Sequence, residues 1–128
     1  RCATDVTGFG LLGHALKMAQ SSGVSFHFDS TTVPLLSGAW ELAETGCIPG
    51  ACFRNQEFVE EHVTFDKNVD YNRKMLMLDA QTSGGLLICV PEAADSDAML
   101  SELHTSGYPS AEVIGTVHEQ DASAIVIR

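Results

Sequence analysis

Asp5 stands just ahead of Gly8, Gly10 and Gly13 in the stretch Ala3-Thr4-Asp5-Val6-Thr7-Gly8-Phe9-Gly10-Leu11-Leu12-Gly13-His14. That stretch heads a segment with helical patterning. Each glycine inside a helix costs roughly 1 kcal/mol relative to alanine. Close packing, or a ligand approaching the backbone, must offset that cost. A helix start offers unpaired N–H groups and about half a positive charge. Glycines at positions 8 and 10 let an anion come close to that backbone. A carboxylate beside such a spot is suited to hold a magnesium ion bridging to phosphate oxygens. The competing reading is structural: Asp5 caps the helix, and the glycines only permit tight helix–sheet packing.

A second stretch, Gln81-Thr82-Ser83-Gly84-Gly85, sets hydroxyls and a Gly-Gly pair ahead of an apolar run. Such a loop can form an N–H-lined nest for an anion, or an ordinary turn before a strand. It is no Walker loop, since it lacks the Gly-Lys pair and the spacing. His14 falls at the edge of an apolar stripe and reads as a packing residue. His27, His62, His104 and His118 show no ligand spacing, and there is no nucleophile-elbow or zinc-protease motif. Cys2, Cys47, Cys52 and Cys89 form no Cys-x-x-Cys pair. They read as free thiols, with Cys89 a small core residue.

The elements that must position these residues follow from periodicity. A first helix is expected from about Gly8 to Ser22, with Thr7 as N-cap and Gly23 as its stop. Val24 to Asp29 alternates as a half-buried strand. A second helix is expected to start near Pro34 and end at Gly46, followed by a loop to Arg54. A short helix and a strand near Val63-Phe65 come next. Asp70 is expected to cap a third helix with Tyr71, Met75 and Leu78 in one row. Leu86 to Val90 reads as a buried strand. Pro91 opens a fourth helix with Met99, Leu100 and Leu103 toward the core, stopped by Gly107 and Pro109. Two closing strands, about Glu112–His118 and Ala122–Ile127, are expected to pair as a hairpin. Met75, Met77, Phe26 and Phe28 read as core, and Glu57, Glu60 and Glu61 as a solvated face.

The chain has 128 residues, 45% of them hydrophobic, which suits one domain with a sizeable core. No apolar run approaches the ~20 residues of a membrane span, and no secretory-signal pattern is seen. The net charge of −10 argues against nucleic acid as a partner. It leaves nucleotides open, because magnesium and backbone N–H groups can hold phosphates without a basic patch. An Arg1 start without methionine suggests a piece of a longer polypeptide. Strands alternating with helices point to an α+β domain, a mixed sheet flanked by helices.

Together, Thr4 to His14 and Asp79-Ala80-Gln81-Thr82-Ser83-Gly84-Gly85-Leu86-Leu87 resemble the C-terminal half of the selenophosphate synthetases, over essentially the whole chain. The late Gly107-Tyr108-Pro109 and Val113-Ile114-Gly115 segments resemble that family too. Fold relatives such as aminoimidazole ribonucleotide (AIR) synthetase carry other residues where this chain has Asp-Val-Thr-Gly-Phe-Gly. The resemblance implies an α/β/α-layered, partly ferredoxin-like domain of the AIR-synthase C-terminal type. It implies a cytoplasmic enzyme, a phosphotransferase that makes selenophosphate, AMP and phosphate from ATP, selenide and water. It implies Asp5 as a magnesium ligand, with Thr7, Gly8, Gly10, Thr82, Ser83, Gly84 and Gly85 on the phosphate side. It also implies an N-terminal domain as partner, a homodimer, and no catalytic residue within this chain. Two positions depart from the family pattern: Ala80 replaces a proline, and Ala51-Cys52 replaces Gly-Thr. Another ATP-using enzyme of the same fold, and a scaffold module without catalysis, are the alternatives.

Overall fold

Alternation of apolar and polar residues along Val24–Phe28 makes it a strand, β2, whose Phe26 and Phe28 enter the core while His27 faces the other way. The computed structural model describes residues 3–128, except the side chains of Ala93 and Ala94. Before β2 come strand β1 (Ala3–Asp5) and helix α1 (Gly10–Ser22). After it follow α2 (Ala39–Glu44), α3 (Gly50–Val59), β3 (Val63–Phe65), α4 (Tyr71–Met77) and β4 (Leu86–Ile88). The chain closes with α5 (Ala93–Thr105), β5 (Gly115–Glu119) and β6 (Ile125–Ile127).

The main sheet runs β3-β6-β2-β5, with β6 parallel to both β2 and β3, and β5 antiparallel to β2. It is therefore a mixed sheet, as the α+β reading requires. β1 and β4 form a separate antiparallel ribbon. Helix α1 packs against both sheets and carries the centre of the core: Leu12, Ala15, Leu16 and Ala19 are all at most 1% exposed. Truncating Leu12 or Leu16 to alanine removes buried methylenes and leaves a cavity, costing roughly 2–5 kcal/mol. Gly23, at φ +65°, closes α1 through its N–H to the Ala19 carbonyl, as expected of a left-handed stop.

Several expected elements are corrected. The two closing strands do not form a hairpin; they lie on opposite sides of β2. The connection between them crosses the end of β2 and is held by Ser25, a fully buried residue. Its hydroxyl donates to the Ser123 carbonyl and accepts from the Asp121 N–H, both at 2.8 Å. The second helix starts at Ala39 rather than Pro34, because Leu36 is 87% exposed and supplies no anchoring apolar face. Of the expected loop from Gly46 to Arg54, residues 50–54 are instead the first half of α3, which buries Cys52, Asn55 and Val59 on one face. Strand β4 is not buried on both sides: Leu87 is inside, while Leu86 and Ile88 face outward. None of Met99, Leu100 and Leu103 of α5 joins the core. Cys89 packs against the core from a half-buried position. Cys2 lies outside the described residues.

Other expectations hold. Asp70 caps α4, its carboxylate accepting from the Asn72 and Arg73 N–H groups. Met75, Met77, Phe26 and Phe28 are core, although Tyr71, at the head of the expected row, is exposed. Glu57, Glu60 and Glu61 are solvated.

On the outward face of β2, the His27 ring stacks on His118 with centroids 4.0 Å apart. Both ring nitrogens of His27 are buried without a hydrogen-bond partner, and Asp121 Oδ2 is 3.9 Å away. Burial above all, then the charges of His118 and Arg128, hold its pKa below the ordinary 6.5, with Asp121 opposing. The unfolded chain therefore binds this proton more readily than the folded one. Stability from this group is complete above pH 6.5 and is lost as pH falls below it. We expect the urea midpoint to drop between about pH 7.5 and about pH 5, and to drop less in His27→Gln. An equal drop in both proteins would place the pH sensitivity elsewhere.

Candidate functional site

β1 ends at Asp5 and β4 begins at Leu86, and these two residues are register partners across the ribbon. The pairing brings the two motifs into contact. Just past the ribbon, the Val6 N–H donates to the Gly85 carbonyl at 2.9 Å. The Thr7 carbonyl then accepts from two N–H groups, those of Gly10 and Gln81, each at 3.0 Å. The loop before α1 and the loop before β4 are thus hydrogen-bonded to each other along their length.

The glycines divide into two groups. Gly10 has φ +66°, and a Cβ there would lie 2.7 Å from the Leu78 carbonyl oxygen. A Cβ on Gly13 would lie 2.6 Å from Phe9 Cβ, and one on Gly84 would strike the Val6 carbonyl and the Gln81 side chain. These three are required by packing. Gly8 and Gly85 are exposed, and an added Cβ at either meets nothing within 4 Å. Packing within this domain does not explain them, and both backbones are open to an incoming group.

Thr7 does not cap α1. Phe9 occupies the cap position without a side-chain hydrogen bond, and the helix starts at Gly10. The Thr7 hydroxyl instead meets His14 Nε2 at 2.9 Å. His14 is half-buried and its ring is satisfied by that hydroxyl, as expected of a packing residue with a satisfied ring. The Phe9 ring lies against Phe58 at 5.1 Å and meets the His14 ring edge-on at 6.0 Å.

Asn55 is the positioning residue that sequence reasoning missed. It is 6% exposed, and its Nδ2 donates to the Gly8 carbonyl at 3.0 Å and to the Leu78 carbonyl at 2.8 Å. One amide from α3 thereby pins the first motif to the residue that leads into the second. The signal was present as a polar residue in the buried row Cys52, Asn55, Val59. Cys52 supports the same junction, its thiol donating to Asp79 Oδ1 at 3.4 Å. Burial, and then the hydrogen bond to Asp79 and its charge, push that thiol up to about 12, so it stays protonated.

Asp5 is exposed beside these loops, as are Thr82 and Ser83. Carboxylate and hydroxyl oxygens are the donors that magnesium prefers. No group of three or more His, Cys, Asp or Glu among the described residues can enclose a metal. The donor set fits magnesium as one carboxylate ligand whose other donors come from elsewhere. A cavity of about 200 Å³ lies between α2, α3 and α4, against the Cys52–Asp79 pair, with Leu42, Cys47, Cys52 and Asp79 in its lining. No helix among the described residues is long and apolar enough to cross a membrane.

Residues 1–128 match the family model described as AIR synthase related protein, C-terminal domain. The chain belongs to this family. Within it, the chain is 46% identical to the selenide, water dikinase of Porphyromonas gingivalis, over 99% of its own length and 36% of that protein's. It is 43% identical to the protein of the same name from Caldanaerobacter subterraneus, over 98% of this chain and 36% of the relative. The Rhizobium meliloti protein of that name is 42% identical, over 97% and 35%. This AIR synthase related domain therefore spans about a third of the length of the curated relatives it matches.

Because Asn55 donates to two buried carbonyls, Asn55→Ala should cost about 2–4 kcal/mol, read as a lower urea midpoint with little change in slope. A loss below about 0.5 kcal/mol would mean that water replaces both bonds.

Proposed function

We propose that this domain is the C-terminal part of a selenide, water dikinase and forms one wall of its ATP site. The observation that carries the reading is the junction of the two motifs. There Asp5 is exposed, and the Gly8 and Gly85 backbones stand open without a packing reason. Similarity to the selenide, water dikinases supports the same reading and supplies the reaction: ATP, selenide and water give selenophosphate, AMP and phosphate. The catalytic groups lie outside this chain, in an N-terminal domain that supplies the opposite wall. The full protein is a cytoplasmic homodimer.

In this reading Asp5 is one ligand of a magnesium ion. Magnesium, when bound, supplies neutralisation of the charge that develops on transferred phosphoryl groups. This chain's own residues bind and orient. Gly8 and Gly85 let phosphate oxygens approach the backbone, and the hydroxyls of Thr7, Thr82 and Ser83 offer hydrogen bonds to them. Gly10 and Gly84 serve the same end indirectly, by allowing the two loops to touch.

The test follows AMP production from Mg-ATP by the full-length protein, with and without selenide. AMP that appears only with selenide supports the reading. Turnover indifferent to selenide would assign the domain to a different ATP-using enzyme of the same fold. In the full-length protein, Asp5→Asn should lower turnover at least ~100-fold, because a lost metal carboxylate removes several kcal/mol of charge stabilisation. Wild-type turnover with unchanged magnesium dependence would reduce Asp5 to a structural residue.

The glycines give a second, independent check. Gly8→Ala should leave the melting temperature unchanged while weakening Mg-ATP binding. Gly10→Ala should lower the melting temperature, since it adds both a clash and a strained φ of +66°. Equal, purely structural effects at both positions would remove Gly8 from the phosphate side.

A further inference from the structure

The hydrogen bond between His14 and Thr7 spans seven residues and joins the first turns of α1 to the loop that precedes it. Thr7 occupies the crossing point of the site. Its carbonyl is already committed to the N–H groups of Gly10 and Gln81. Its carbonyl is therefore fixed, and its hydroxyl is the side-chain group that can meet a ligand. A threonine hydroxyl has one proton and two lone pairs, and it ordinarily rotates to suit its surroundings. Nε2 of His14, at 2.9 Å, removes that freedom. The imidazole is itself held: it sits on α1, half-buried, with the Phe9 ring edge against it and Phe58 behind Phe9.

We propose that His14 is a positioning residue that turns the Thr7 hydroxyl into a directed hydrogen-bond donor for a phosphate oxygen of the bound nucleotide. The inference rests on the ATP-site reading above and adds a residue and a role to it. With the proton on Nε2, the ring donates to Thr7 Oγ1, and the hydroxyl's own proton points away from the ring. An anion selects this arrangement because only then does it meet an O–H rather than lone pairs. The alternative tautomer makes Thr7 donate to the ring and leaves lone pairs facing the ligand. The two tautomers of the ring offer both arrangements, and an anionic ligand draws the pair into the donating form. His14 touches neither substrate nor metal in this scheme; it acts through Thr7.

The test measures Mg-ATP binding by calorimetry and selenide-dependent AMP formation in the full-length protein, together with melting temperatures. His14→Leu and Thr7→Val are each expected to weaken Mg-ATP binding about tenfold, and to raise KM for ATP by a similar factor. The double variant should be no weaker than either single one, because both remove the same bond. His14→Gln, whose amide reaches about as far as Nε2, should restore most of the affinity. A purely structural His14 would lower the melting temperature without separating Leu from Gln in ligand affinity. Should His14→Leu fail to fold, the comparison of His14→Gln with Thr7→Val carries the test: wild-type-like binding in the first and weakened binding in the second are expected.

The proposal is overturned if Thr7→Val weakens binding while His14→Leu leaves it unchanged, or if the two losses multiply in the double variant. It is also overturned if neither moves affinity while Asp5→Asn does; that result leaves the ATP-site reading intact. Wild-type protein that binds no Mg-ATP would instead remove the ATP-site reading, and this inference with it.

Discussion

The Thr7 carbonyl accepts two backbone N–H groups at once, from Gly10 at the start of the helix that follows it and from Gln81 in a loop more than seventy positions away. Everything around the site depends on that shared acceptor. It requires the chain to pass very close to itself, and side chains of ordinary size would prevent the approach. Gly10 and Gly84 are glycine for that reason, each lying where a Cβ would meet a carbonyl of the opposing loop. The conformational cost of glycine near a helix start is offset by a set of inter-loop hydrogen bonds that a bulkier sequence could not form.

The surrounding elements act as supports for this junction. The β1–β4 ribbon sets the register that brings Asp5 opposite Leu86, and its inner side is anchored by Leu87 and Val6 in the core. From behind, α3 contributes Asn55, whose amide reaches carbonyls of both loops, and Cys52, whose protonated thiol meets Asp79. An isolated two-stranded ribbon is marginal in water. Here it is held by α1 on one side and by polar pins at its end. The outer side of the ribbon leaves Leu86 and Ile88 exposed, in a chain that spans about a third of the length of its relatives.

The main sheet has a similar internal logic. Ser25 is fully buried, yet both its hydrogen-bonding roles are used, and they hold the crossing between β5 and β6. A buried hydroxyl without partners would cost free energy, so the crossing and the serine require each other. Two positions further, on the same face of β2, His27 has no such compensation and stacks on His118. The same face of one strand thus carries a satisfied polar residue and an unsatisfied one, and burial of the second holds its pKa below the ordinary value.

Local pattern by itself determined the strand Val24–Phe28, the stop at Gly23, the Asp70 cap and the core methionines and phenylalanines. Each of these depends on residues within one turn or one strand. It also marked both motifs as glycines clustered behind an aspartate, without choosing between packing and the approach of a ligand. The long-range choices were made only in three dimensions. The β5–β6 turn is short enough for a hairpin, but β2 inserts between the two strands because both of its edges gain hydrogen bonds that way. Residues 50–54 lack strong helical patterning and become helix because Cys52, Asn55 and Val59 find buried partners. Which glycines serve packing and which stand open was equally invisible in the string of letters, since Gly8 and Gly10 differ only in what lies across from them. A spacing rule sees neighbours along the chain, whereas the reason for Gly10 is the carbonyl of Leu78.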